Sequence, residues 1–251
     1  MVLVTIYIAC VFSCLQDSKM TRRKVHCVRN WGYYSYPSCF CLDPFSSFFV
    51  HGFVITIWKS HLFLGTLVFS NDYSISVELT SKHNDLVWVL TNIYAPCTPA
   101  GKHLFLGWLK NIQMPQEVNW LLAGDFNLVR KPEDRNKPGG DIAEMFSFNE
   151  AHRTLGVVEL PLHGKRFTWS NKQFSPLLVR LDWFFTSQVW TNVFPNSSVT
   201  SLAMETSDHS PCLISIGTTI PKGKFFHFEN YLMEHEHFFS IVQHGWSLPT
   251  P

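Results

Sequence analysis

The chain has 251 residues, 46% of them hydrophobic and 16% charged, which excludes a disordered protein and supplies enough apolar surface for a sizeable core. Its formal net charge of +1 excludes a chain drawn to nucleic acid by its overall field, so any phosphate contact has to come from local patches. Seven cysteines, odd in number and without a CxxC pair, exclude a zinc ribbon or a disulfide framework and point to reduced intracellular thiols.

Met1 to Leu15 is apolar but lacks a basic leading region, and Val2, Val4, Thr5, Ile6 and Ile8 favour a buried strand over a signal peptide. The run is also shorter than the roughly 20 residues that span a bilayer. Neither secretion nor membrane insertion is expected. Thr21 to Gly52 offers only core and loop, and Phe53 to Trp58 is a core strand. Ser74-Ile-Ser-Val-Glu-Leu79 alternates polar and apolar residues as a half-exposed strand does, and Leu86 to Tyr94 is its more apolar hairpin partner. Pro96 and Pro99 end that strand. Leu104, Trp108 and Ile112 then recur at helical spacing and predict an amphipathic helix lying on a sheet.

The most informative run follows. In Asn119-Trp-Leu-Leu-Ala-Gly-Asp-Phe-Asn127 a buried strand stops at Gly124 and delivers Asp125 and Asn127, which two residues apart on extended backbone share one face. Gly124 leaves room for a ligand. Taken alone, Gly-Asp-x-Asn is more commonly an ordinary polar turn. The next loop, Arg130 to Gly140, carries Arg130, Lys131, Arg135 and Lys137. It fits a phosphate-backbone contact and a solvated loop equally well, since Glu133 and Asp134 partly cancel its charge. Asp141 with Glu144 makes a capping-box-like start for a helix that Gly156 finishes. Val157 to Leu160 and Arg166 to Trp169 form two strands joined across Pro161 and Gly164, with Lys165, Arg166 and Lys172 extending the basic rim. Ser187 caps a short helix ended by Pro195, and the sequon Asn196-Ser-Ser198 is an accident. Glu234-His-Glu-His237, at helical spacing, fans around the axis and so forms a solvated face, not a metal site.

Four segments in order carry a resemblance: Asn92-Ile-Tyr-Ala-Pro96, Gly124-Asp-Phe-Asn127, Arg180-Leu-Asp-Trp-Phe-Phe185 and Ser207-Asp-His-Ser-Pro211, the last running into apolar Cys212 to Ile216. Together they resemble the endonuclease/exonuclease/phosphatase superfamily, the DNase I-like fold. Gly124 to Val129, Phe167-Thr-Trp-Ser-Asn171, Arg180 to Asp182 and Phe228-Glu-Asn230 look most like the endonuclease region of plant non-LTR (LINE-type) retrotransposons. The resemblance implies an α/β fold, a four-layer α/β/β/α sandwich of two mostly antiparallel sheets flanked by helices. It implies one such domain over residues 1–220, and a tail over 221–251 resembling the linker toward a reverse transcriptase.

The chemistry implied is metal-dependent phosphodiester hydrolysis, the nicking of DNA. Tyr94, Asp125, Asn127, Asp182, Asp208 and His209 are the expected catalytic residues. Cys14-Leu-Gln-Asp-Ser-Lys-Met20 is similar to the family's Leu-Gln-Glu-Thr-Lys segment. Asp17 thereby stands where the metal-binding glutamate belongs, with Asp208 as a second ligand. The family's earlier asparagine-bearing strand has no counterpart, so an N-terminal truncation is expected. An oxygen-rich set with one imidazole and no thiolate suits Mg²⁺ or Mn²⁺. Arg130, Lys131, Arg135, Lys137, Lys165 and Arg166 are expected to touch DNA. A monomer inside the cell, with the nucleus as a candidate location, completes the expectation. The alternatives are a non-catalytic retroelement-derived remnant and a phosphatase of the same superfamily.

Overall fold

The computed structural model describes residues 46–51, 54–113, 117–203, 207–216 and 236–247. The chain divides into two compact units, Met1–Thr218 and Thr219–Pro251. In the first, chain order runs β1 (Ser46–His51), β2 (Val54–Lys59), β3 (Phe63–Asn71), β4 (Ser74–Ser81), β5 (Val87–Tyr94), α1 (Pro99–Asn111), β6 (Asn119–Asp125), α2 (Ile142–Leu155), β7 (Val158–Glu159), β8 (Leu162–His163), β9 (Trp169–Ser170), β10 (Leu178–Val179), β11 (Asp182–Thr186), α3 (Gln188–Val193), β12 (Ser198–Ser201) and β13 (Cys212–Ser215). The main sheet has six strands in the order β3-β4-β5-β6-β11-β7, the second has three in the order β13-β12-β8, and β1-β2 and β9-β10 are hairpins. β5 and β6 pair in parallel because α1 connects them as a crossover, whereas the short connections of β3 to β4 and β4 to β5 give antiparallel pairs.

Alternation along the strands splits the core in two. On one face of the main sheet Ile75, Val77, Leu90, Leu121, Ala123 and Phe184 pack with Val54 of β2 and with Val199, Ile214 and Ile216 of the second sheet region. On the other, Val89, Ile93, Trp120, Leu122, Trp183 and Phe185 pack under Phe105 and Leu109 of α1 and Phe148 and Ala151 of α2. The protein is thus a mixed α/β structure of two main sheets with helices. Burial on both faces corrects the expectation for β4. Ser74 and Ser76 are fully buried, not half-exposed, and Ser76 Oγ lies 2.6 Å from Thr91 Oγ1, which also accepts from Trp120 Nε1 at 2.7 Å. Small hydroxyls fit under the helices once they satisfy one another.

Other local expectations divide in the same way. Thr98 caps α1 through Gly101 N. Of the expected stripe, Trp108 and Ile112 are half-buried against the helix-side core while Leu104 is 64% exposed, and the buried residues are Phe105, Leu106 and Leu109; the buried face is centred one residue on, where Phe105 meets Tyr73 and Phe126. Asp141 caps α2 by accepting from Ala143 N and Glu144 N, and Gly156 closes it in the left-handed region at φ +63°. Glu144 reaches instead to Lys102 on α1 at 3.0 Å. Ser187 caps α3 through Trp190 N. The two strands expected on either side of Pro161 and Gly164 do not pair with each other: β7 belongs to the main sheet, β9 pairs with β10, and between them β8 joins the second sheet. Pro161 sits where the chain changes sheets, its carbonyl accepting from Val199 N at 2.9 Å. Strand β1 carried no sequence signal beyond loop and core, and pairs with all of β2.

In the second unit the described part is α4 (Phe238–Ser247), preceded by Glu236 and His237 in a turn. Their side chains approach to 3.3 Å in the open, ahead of the helix and not on its face. Among the described residues no helix is long and apolar enough to cross a membrane.

Candidate active site

The site is set by register. Tyr94 at the end of β5 pairs with Asp125 at the end of β6, and Asp125 pairs with Asp182 at the start of β11. Three of the expected catalytic side chains therefore stand in one row, on the face that looks toward the second sheet. Two carboxylates directly opposite one another repel. The segment before β13 supplies the relief: His209 Nδ1–H donates to Asp182 Oδ2 at 2.9 Å, and its Nε2 stands 3.7 Å from Asp125 Oδ2, beyond hydrogen-bond range.

Local backbone shapes the rest. Gly124 has φ +140°, and a Cβ placed there would lie 2.1 Å from the Ile93 carbonyl oxygen. The glycine thus serves the close approach of β5, not the ligand space expected from sequence. Asn127 adopts φ +48°, a region asparagine tolerates. Its backbone N–H donates to Asp125 Oδ1 at 2.8 Å, and its amide nitrogen donates to the Ala95 carbonyl at 2.6 Å and Asp125 Oδ2 at 3.2 Å. Both amide hydrogens are committed, so the Asn127 carbonyl oxygen is the atom left to act on a ligand.

Burial pushes the Asp125 carboxyl up to about 7, reinforced by the neighbouring Asp182 charge and opposed by His209 and the Asn127 N–H. Burial alone would lower His209, but the charge and hydrogen bond of Asp182, with Asp125 and Asp208, outweigh it and raise the imidazole to about 9. An imidazolium flanked by carboxylates is the favoured state near neutrality.

A segment absent from the expected catalytic set holds these groups. Fully buried Thr168 accepts the backbone N–H groups of Leu181 and Asp182, each at 3.1 Å. Its carbonyl accepts from Ser210 N, and Ser170 N donates to the Asp208 carbonyl. Trp169 Nε1 donates to Asp208 Oδ2 at 3.0 Å. The Phe-Thr-Trp-Ser run was visible in the sequence, but its partners in the site lie 13 to 42 residues away, so no local signal tied it to the site.

The basic residues go to different places. Arg130 is committed inward: it pairs with Glu159, donates to Asn149 Oδ1 at 2.8 Å and lies over the Trp183 ring. Lys131 is exposed, and Lys165 is exposed. Lys137 binds Ser175 in the β9–β10 connection, and Arg166 donates to the Glu133 carbonyl at 2.6 Å with its guanidinium over Phe167. Arg135 is half-buried against Gly139. Asp17 lies outside the described residues.

At the strand ends of this two-sheet α/β protein a row of acidic groups thus meets an imidazole from the segment before β13. The chain has the DNase I-like fold of the endonuclease/exonuclease/phosphatase superfamily. It is similar to the endonuclease domain of TRAS1, a telomere-specific non-LTR retrotransposon, at 15% identity and a TM-score of 0.55, over 70% of this chain and 81% of that one. It is also similar to an AP endonuclease from Leishmania major (14%, TM-score 0.48, 68% and 70%) and to a mannosyl-6-phosphatase from Bacteroides thetaiotaomicron (13%, TM-score 0.44, 68% and 77%). No family model matches the sequence, and no curated protein matches it. At these identities the likeness is one of fold.

Proposed function

We propose that the chain hydrolyses phosphodiesters as a metal-dependent DNA endonuclease that nicks one strand, of the type found in non-LTR retrotransposons and, by its Phe167-Thr-Trp-Ser-Asn171 and Phe228-Glu-Asn230 runs, of the plant lineage. The observation that carries the reading is the Asp125–His209–Asp182 arrangement, with Asn127 bonded to Asp125. His209, held through Nδ1 by Asp182, turns a protonated Nε2 toward the site and donates to a phosphate oxygen, stabilising the charge that develops there. Asp125, with its carboxyl raised to about 7, accepts the proton of the attacking water near neutral pH. Asn127 orients that water through its carbonyl oxygen. Tyr94, in register beside Asp125, presents its phenol at the same strand ends.

The donor set fits a hard divalent ion. Asp208 Oδ2 is taken by Trp169, leaving Oδ1 with Ser207 Oγ at 3.5 Å. Carboxylate and hydroxyl oxygens without a thiolate are the donors Mg²⁺ or Mn²⁺ takes. Asp208 and, from outside the described residues, Asp17 would hold the ion. When bound, such an ion polarises the phosphate and stabilises the leaving oxygen. DNA reaches the site on local charge, from Lys131, Lys165 and Arg166. Phe174, wholly exposed between β9 and β10, offers a ring for stacking on a base. We place the catalytic domain in residues 1–220 and the retroelement linker in 221–251, in an intracellular monomer.

The experiment is nicking of supercoiled plasmid by the purified chain with Mg²⁺, Mn²⁺ or EDTA. The reading expects open-circular product that EDTA abolishes. No product with either ion would leave a non-catalytic remnant, and release of inorganic phosphate from monoesters without nicking would mark a phosphatase.

A further inference from the structure

We propose that Trp169 is a positioning residue whose indole N–H holds the Asp208 carboxylate in its working orientation beside His209. The inference rests on the endonuclease reading above and extends it to a side chain outside the expected catalytic set.

Three observations carry it. Trp169 Nε1 lies 3.0 Å from Asp208 Oδ2 and donates along a fixed direction, since an indole has a single donor and no acceptor. The ring cannot follow a drifting carboxylate. Trp169 packs against a small cluster of Val129, Met145 and Val179, flanked by Leu177 and Leu181, and β9 is pinned on one side by β10 and on the other by a bridge between Trp169 and His209. Finally, the same three residues grip both acidic segments. Thr168 Oγ1 accepts from Leu181 N and Asp182 N, the Thr168 carbonyl accepts from Ser210 N, and Ser170 N donates to the Asp208 carbonyl. Thr168 to Ser170 is thus a splint between Asp182 and Asp208–His209, which meet from chain positions 27 residues apart. Backbone bonds place the two segments. The rotamer of Asp208 is left to side chains, and among the described residues these are the indole at 3.0 Å and a long 3.5 Å contact with Ser207 Oγ.

Occupying Oδ2 also leaves Oδ1 as the oxygen free to face substrate or ion. Loss of the indole lets the carboxylate rotate, and misplacement of a reacting group by about 1 Å costs on the order of 10²-fold in rate.

The test uses the full chain with Trp169→Phe, which keeps an aromatic ring in the cluster while removing the donor, together with Asp208→Ala and the double variant. Plasmid nicking is measured as kcat and KM, and the indole N–H resonance of Trp169, assigned by its loss in Trp169→Phe, is followed by NMR. The expected result is a kcat lower by roughly 10- to 100-fold at unchanged KM, a double variant no slower than Asp208→Ala alone, and an indole resonance that moves in Asp208→Ala. A Trp169→Phe chain that nicks at the parental rate, additive losses in the double variant, or an unmoved resonance overturns the positioning role and leaves the endonuclease reading standing. A parent chain that does not nick overturns that reading and this role together.

Discussion

Asp182 and Trp183 are neighbours on β11, and they look into two charged clusters of opposite design. On the face toward the second sheet, the carboxylates of Asp125, Asp182 and Asp208 surround one imidazole. On the helix face, Arg130 and Arg180 share the single carboxylate of Glu159, and Arg180 lies 4.0 Å above the Trp183 ring. Both clusters are largely shielded from water. In the helix-side cluster the carboxylate has a cation at each oxygen and the guanidiniums have an aromatic surface beneath them, a closed arrangement that ties β7, β11 and the loop after β6 together. In the other, a hydrogen-bonded pair leaves Asp125 and the far nitrogen of His209 3.7 Å apart and both groups displaced from their ordinary ionisation. Buried charge alone therefore does not mark a candidate site; what sets this one apart is a pair of titratable groups displaced from their ordinary ionisation at neighbouring strand ends.

The comparison can be broken from either side. His209→Ala should have the largest effect, lowering nicking by on the order of 10²- to 10³-fold while circular dichroism stays parental; an unchanged rate would identify a contaminating nuclease. The pH response belongs to the same cluster. Asp125 must be ionised and His209 protonated, so the rate should rise through about 7 and fall through about 9, and a flat profile between pH 6 and 10 would contradict these roles. Stability runs one way only. His209 is raised from 6.5, so its contribution is complete below that value and is lost as pH climbs through about 9. Asp125 is raised from 3.8, so the folded state favours its protonated form and loses stability as pH climbs through about 7. The melting temperature should be lower at pH 9 than at pH 5.5, and His209→Ala should flatten that slope.

On the helix side, Glu159→Gln strips two guanidiniums of their shared counter-charge. It should destabilise the fold by about 1–3 kcal/mol in denaturant titration, yet leave nicking per folded molecule near the parental value. Loss of activity beyond the loss of folded protein would mean the two clusters are coupled through β11. Asp141→Ala sharpens the contrast with the smallest change. It removes the cap that accepts from Ala143 N and Glu144 N, at about 1 kcal/mol, far from either cluster. A midpoint shift as large as that of Glu159→Gln would show that α2, not the shared carboxylate, limits stability on this face.

What the sequence determined by itself is what neighbouring residues decide together. Asp141 and Gly156 bound α2 because a cap and a left-handed closure are satisfied within one turn of chain. Trp120 to Asp125 is a strand because its apolar run, ended by a glycine, admits little else, and the spacing of two put Asp125 and Asn127 at its exit. The four ordered segments carried the fold for the same reason, since each is a strand end or an adjoining turn. Only the tertiary structure decided where the buried face of α1 is centred, because Leu104 and Phe105 compete equally until Tyr73 and Phe126 arrive from elsewhere in the chain. It turned Gly124 toward Ile93, split β7 from β8 at Pro161, and drew Arg130 inward to Glu159. It placed the Trp169 indole on Asp208 across 39 residues of chain. Each of these is a choice between local options of similar energy, and such ties are broken by partners that sequence proximity cannot supply.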